Sequence, residues 1–224
     1  MSLRAPEIIN YYRGSVIQTY PAIEPVTLAE VKALLVIDGA SDDSMLTDMI
    51  GEAREFIEHI SGLAMITQTW RLSLDRWPVR QTPWWDGMRQ MPISELGGID
   101  RSLVVPVWPL QTVTAVRVFD DAGNAATVNI AATFDVDTYR QPGRISLRNG
   151  AVWPIALRTS NAIEIDYTAG YGTTAASVPG PLKRAIKAMV VHMYSHRGDG
   201  CDPGDAYQES GAAAIVGRYK VVRI

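Results

Sequence analysis

The sequence predicts an α+β protein: a small α-helical bundle, made of N-terminal helices plus a helix over 181–197, with an inserted antiparallel β module. Three observations predict it. Apolar residues recur at three- and four-residue spacing up to residue 60, alternate singly with polar residues across 67–168, and return to the helical period after Pro181. The organisation expected is a helical core over 23–66 and 176–198, an inserted antiparallel β module over 67–175, and a loop and C-terminal docking tail over 199–224.

The first helix starts at Thr27-Leu28-Ala29-Glu30, a capping box in which each residue satisfies the other's free backbone N–H. It is expected to run from about residue 28 to 37 and stop at Asp38-Gly39. Ser41-Asp42-Asp43 opens a second helix, with carboxylates at the positive end of its dipole. Leu46, Met49, Ile50, Ala53, Ile57 and Ile60 form its apolar stripe, and Ser61-Gly62 ends it.

The middle section reads as short strands. Trp70, Leu72 and Leu74 alternate with polar residues, and SLVVPV, TVTAVRVFD, ATVNI, TFDVD, RISLR and NAIEIDYTA follow. Asp120-Asp121-Ala122-Gly123-Asn124 and Gln141-Pro142-Gly143 are turns between them. Antiparallel pairing in a small sandwich or barrel is expected.

The strand Ala162–Ala169 then hands over to a helix. Gly170 and Gly172 free the backbone to turn, and Pro181 suits the first helical turn, where a missing N–H costs nothing. Leu182, Ala185, Ile186, Met189, Val190 and Met193 make a second apolar stripe, expected to pack on the first. Lys183, Arg184 and Lys187 stand in its first turns, where the dipole disfavours cations, so nearby acids are expected, with Glu52, Glu55 and Glu58 the candidates.

Composition excludes several classes. With 47% hydrophobic and 20% charged residues the chain is an ordinary folded protein. No apolar run approaches a membrane span, and MSLRAPEIINYYRG has no apolar signal core, so neither membrane insertion nor export is expected. The single cysteine, Cys201, excludes an intrachain disulfide and suits a reducing compartment. Charge is unevenly placed. Residues 1–66 hold four Lys/Arg against ten Asp/Glu, and residues 176–224 hold seven against four. An acidic front and a basic back can attract each other, within one chain or between copies.

Catalytic motifs are missing. There is no phosphate-binding loop, dinucleotide fingerprint or nucleophile elbow. His192 and His196 have a metal-clamp spacing, but Met193 stands where a zincin has glutamate, so neither metal nor cofactor is expected. Asp199, Asp202 and Asp205 are too sparse for a calcium loop. The chain is not expected to be an enzyme. Two features suit partners instead. Trp84 and Trp85 lie in QTPWWDGMRQMP, either as a plug under their own loop or as an exposed contact. The tail from Ala214 carries Arg218, Lys220 and Arg223 with Tyr219 and no acid, so a partner or the chain's own body should cover it.

Taken in order, EPVTLAEVKALLVID, DDSMLTDMIGEAREFIEHISG, TQTWRLSLDRWP, VPVWPLQTVTAVRVFDDAG, AIEIDYTAGYG and VPGPLKRAIKAMVVHMYSHRG resemble the head–tail connector (adaptor) proteins of tailed phages and prophages, in their longer form with a β insert. The resemblance spans residues 23–198, and RYKVVRI also fits. It implies a structural virion protein that assembles as a homo-oligomeric ring of about a dozen copies between the portal protein and a tail-completion protein. DNA would pass through the ring as cargo. Localisation would be the virion, with assembly in the bacterial cytoplasm. It also implies that a C-terminal segment around Gly217-Arg218-Tyr219-Lys220 reaches the portal. The 79–100 stretch, with its tryptophan pair, is longer than the pattern leads one to expect, and the 199–216 loop matches no part of it. The competing readings are a small prophage-encoded cell-wall hydrolase, which needs a cleft with two carboxylates, and a glycan-binding β module, which needs tryptophans exposed in a row.

Overall fold

The computed structural model describes residues 14–77, 102–153, 157–198 and 202–220. In chain order the elements are β1 (Ser15–Thr19), α1 (Leu28–Leu35), α2 (Asp43–Ser61), β2 (Gln68–Leu74), β3 (Ser102–Val104), β4 (Leu110–Phe119), β5 (Ala125–Thr127), α3 (Ile130–Thr133), β6 (Phe134–Asp137), β7 (Arg144–Leu147), β8 (Ile163–Ala169), α4 (Gly180–Ser195), α5 (Pro203–Glu209) and α6 (Ala212–Val216). The chain divides into two compact units. One is Met1–Gln18, Trp70–Pro106 and Thr112–Tyr167; the other is Thr19–Thr69, Val107–Gln111 and Thr168–Ile224.

The second unit is the helical one. In its capping box the Glu30 N–H donates to Thr27 Oγ1 at 3.3 Å, and the Thr27 N–H donates to Glu30 Oε2 at 3.1 Å. α1 ends before Asp38-Gly39 because Val36 turns left-handed (φ 58°) and its N–H closes back on the Lys32 carbonyl. α2 ends as the sequence indicates, at Gly62 with φ 71°. The two apolar stripes meet: Leu46, Ile50 and Ile57 of α2 share one core with Leu182, Ile186 and Met189 of α4, all essentially inaccessible to water. Burial of this kind stabilises by about 25 cal/mol per Å² of apolar area. Polar ties fix the helix ends. The Tyr194 hydroxyl of α4 donates to Asp42 Oδ2 at 2.6 Å, and Lys32 of α1 pairs with Asp43 at 2.6 Å.

A piece of the β section also joins this core. Trp108 is 3% exposed within the helical cluster. Its N–H donates to the Gly62 carbonyl at 3.1 Å, and its carbonyl accepts from the Ala64 N–H at 2.8 Å. Nothing in the alternation around Trp108 signals this, because a one-residue bridge leaves no period.

The loop expected over 199–216 is corrected: its described residues hold two short helices. Asp202 caps α5 by accepting from the Asp205 N–H at 2.9 Å, and Pro203 starts the helix. α5 buries Ala206 and Tyr207, whose ring lies 5.6 Å from that of Phe56. α6 buries Ala212 and Val216. Helices of seven and five residues are too short to show a period, and tertiary packing rather than propensity holds them.

In the β unit the strands form two sheets, ordered β1-β2-β8-β4-β5 and β3-β7-β6. The pairs β4–β5, β3–β7 and β6–β7 are antiparallel, with Phe119 opposite Ala125 and Val136 opposite Ile145. The Asp120–Asn124 turn closes the first hairpin as expected, with the Gly123 N–H donating to the Asp120 carbonyl at 2.9 Å. β1 is a strand with no sequence expectation behind it. The sheet order puts β8 between β2 and β4, so Asp166 lies between Arg71 and Arg117. Arg71 Nε donates to Asp166 Oδ1 at 2.7 Å and Arg117 Nη2 to Oδ2 at 2.6 Å. Those hydrogen bonds hold the Asp166 carboxyl below the usual aspartate range, Arg71 contributing most. Trp77 stacks on Trp153 at 4.1 Å, and both rings lie 5.6 Å from Phe134.

Candidate partner interface

The helical unit opens two adjoining concavities along the outer side of α4. The larger, about 880 Å³, lies between α1 and α4; Leu34, Ala188 and Val191 line it together with Lys183, Arg184 and Lys187. The smaller, about 580 Å³, is lined by Pro181, Arg184, Ala214, Ile215, Arg218 and Tyr219. The smaller lies over the first turns of α4, where the helix dipole adds to the positive charge of the side chains, and the larger runs from those turns along the helix to His196. Glu30 is the acid in the larger groove. Its carboxyl is held below the usual range, first by its capping bond to Thr27 and then by Lys187, whose Nζ is 3.5 Å away.

This corrects the acid partners expected for the α4 cations. Lys187 is met by Glu30 of α1, not by Glu52, Glu55 or Glu58 of α2. Glu55 and Glu58 are engaged by Arg54 on their own helix, at 3.1 and 2.8 Å. Glu58 also accepts from the Met65 N–H at 2.7 Å and from Gln68 Nε2 at 2.9 Å. Burial pushes its carboxyl up, with Arg54 and the Met65 N–H pulling against it. Glu52 stays on the outer surface of α2.

The tail residues separate. Val216 is fully buried in the chain's own core, so the segment beginning at Ala214 is not a free arm. Tyr219 is half-buried against the same core; burial pushes the Tyr171 hydroxyl up to about 12, and electrostatic repulsion from Tyr219 acts in the same direction. Arg218 and Lys220 are exposed, with the Lys220 ammonium 5.7 Å from the Tyr207 ring centroid. Arg223, Trp84, Trp85 and Cys201 lie outside the described residues. The four described tryptophans, Trp70, Trp77, Trp108 and Trp153, are buried or half-buried, and form no exposed row. His192 and His196 stack face to face at 4.2 Å, with His192 Nε2 3.3 Å from Glu209. Among the described residues no helix is long and apolar enough to cross a membrane.

Residues 25–75 match the family described as "Phage gp6-like head-tail connector protein". Over nearly its whole length the chain is also similar to solved particle proteins. One is in the neck of an empty GTA particle computed with C6 symmetry, at 25% identity over 93% of this chain and 97% of that one, TM-score 0.68. A second is in the virion of the native gene transfer agent (GTA) particle, at 25% identity over 94% and 96%, TM-score 0.69. A third is in the neck of the native GTA particle computed with C12 symmetry, at 26% identity over 93% and 97%, TM-score 0.65. No curated protein matches the chain.

Sequence reading named Glu52, Glu55 and the cations Lys183, Arg184 and Lys187 as partners of one another, but singled out neither Asp48 nor the groove itself. A helix-interior glycine, Gly51, amid those acids was the available signal.

Proposed function

We propose that this protein is a structural head–tail connector, a subunit of a homo-oligomeric ring in the neck of a phage-like particle. The observation that carries this is the similarity, across 93% of the chain, to neck proteins solved with sixfold and twelvefold symmetry. The connector segment at 25–75 agrees with it. In this reading about a dozen copies sit between a portal protein and a tail-completion protein, and DNA passes through the ring. The helical core carries assembly, with the β module inserted in it. The exposed cations Arg218 and Lys220, with Tyr219 as the half-buried anchor, would turn toward the portal, joined by Arg223. Trp84 and Trp85 would serve a second contact. The role is structural and involves no turnover. Assembly would take place in the bacterial cytoplasm and the product would reside in the virion. No observation favours the hydrolase or the glycan-binding reading.

The test is electron microscopy of the full-length protein mixed with its portal. A coaxial ring of this chain on the portal is expected. Portals that remain bare at saturating protein would overturn the reading.

A further inference from the structure

We propose that the outer face of α2 in one copy seats in the groove between α1 and α4 of the next copy. The proposal rests on the ring reading above and names its subunit contact.

Asp48, Glu52 and Glu55 are exposed and follow each other at four- and three-residue spacing. With successive residues about 100° apart around a helix, they form one acidic stripe on the side of α2 opposite its buried Leu46, Ile50 and Ile57. Asp48 and Glu52 have no ion-pair partner among the described residues. On α4, Arg184, Ala188 and Val191 likewise lie opposite the buried Leu182, Ile186 and Met189. Arg184 is exposed and also lacks an ion-pair partner among the described residues. Leu34, 55% exposed, gives the groove an apolar surface beside its cations.

Because α2 and α4 bury their stripes in a common core, the acidic face and the basic groove point away from each other. Two copies meeting through the same patch would oppose like charges. Acid face to basic groove is therefore the favoured contact, and it is head-to-tail. Such contacts close into a ring when the rotation permits.

Gly51 supports this independently. It lies inside α2, three residues after Asp48 and four before Glu55, so it borders the acidic stripe. A Cβ built on it meets nothing within 4 Å. Nothing within the described chain requires glycine there, and glycine weakens a helix interior. A neighbouring subunit approaching closely does require it.

The test uses the full chain, with self-association followed by native mass spectrometry and electron microscopy. Arg184→Glu and Glu52→Lys should each weaken assembly by about tenfold or more, while leaving the melt unchanged, and mixing the two variants should restore it. Gly51→Ala should raise the melting temperature of the subunit and still weaken assembly. Rings that form as in the wild type with either reversal, or that the mixture fails to restore, would overturn this contact and leave the ring reading standing. A wild-type chain that stays monomeric even with its portal would overturn the ring reading, and the contact with it.

Discussion

Arg54 donates through Nη1 to Oε2 of Glu58 at 2.8 Å, one turn further along α2, and the two side chains are only 6% and 11% exposed. The same guanidinium reaches Glu24 through Nε at 2.8 Å, which ties the chain before α1 to α2. Taking one partner from such a pair strands a buried charge. Arg54→Met should therefore cost about 3–5 kcal/mol. Arg54→Lys should recover only part of this, because a single ammonium cannot reproduce the fork. Urea denaturation checks both, and an Arg54→Met protein as stable as the wild type would show the pair to be solvated.

Asp166 makes the β sheet sensitive to acid. Its carboxyl is held low by Arg71 and Arg117 when folded and returns to the ordinary aspartate range when unfolded. Above that range both states are ionised and the full stabilisation is present. As the pH falls below it, the unfolded chain takes up the proton first, and stability is lost down through the folded value. Asp166→Asn should flatten this part of the stability–pH curve. Denaturation series from neutral to about pH 2 would reveal it; identical slopes in variant and wild type would refute the assignment.

Gly170 is the hinge of the strand-to-helix handover. Its φ is 139°, and a Cβ there would stand 2.7 Å from the Ile66 carbonyl oxygen and the Thr67 nitrogen. Those are backbone atoms, which cannot swing aside. Gly170→Ala should thus cost more than the roughly 1 kcal/mol typical of a glycine exchange. Gly123→Ala, in an open turn at φ 83°, carries backbone strain without a clash and should cost less. Thermal melts of the two variants side by side make the comparison.

Truncation separates core from tail. Deleting 212–224 removes Ala212 and Val216, both 0% exposed, and should lower the melting temperature strongly. Deleting only 221–224 should leave the helical core intact. An unchanged melt after the longer deletion would mean that α6 adds nothing to the fold.

Much of the helical core was legible because long amphipathic stretches announce themselves. The α2 and α4 stripes are several turns long, and their caps and terminators (Thr27-Glu30, Gly62, Pro181) act through local backbone chemistry that a sequence displays. Apart from β1, the strands of the β unit were legible from alternation and turn residues for the same reason. The partners of individual charges were not. Glu58 and Glu55 read as acids open to α4, yet Arg54 lies within reach on their own helix, and Glu30 approaches Lys187 from a separate element.

The sequence by itself determined the fold class, the two helical stripes and their ends, the strand segments and the connector resemblance, since each rests on short-range periodicity or on the order of segments. Only the tertiary structure decided the rest. It put Trp108 in the helical core, folded 203–216 into two helices, buried Val216, and set Asp166 between two arginines. These depend on which distant residues come together, and a contact between residues far apart in the chain leaves no period in either one.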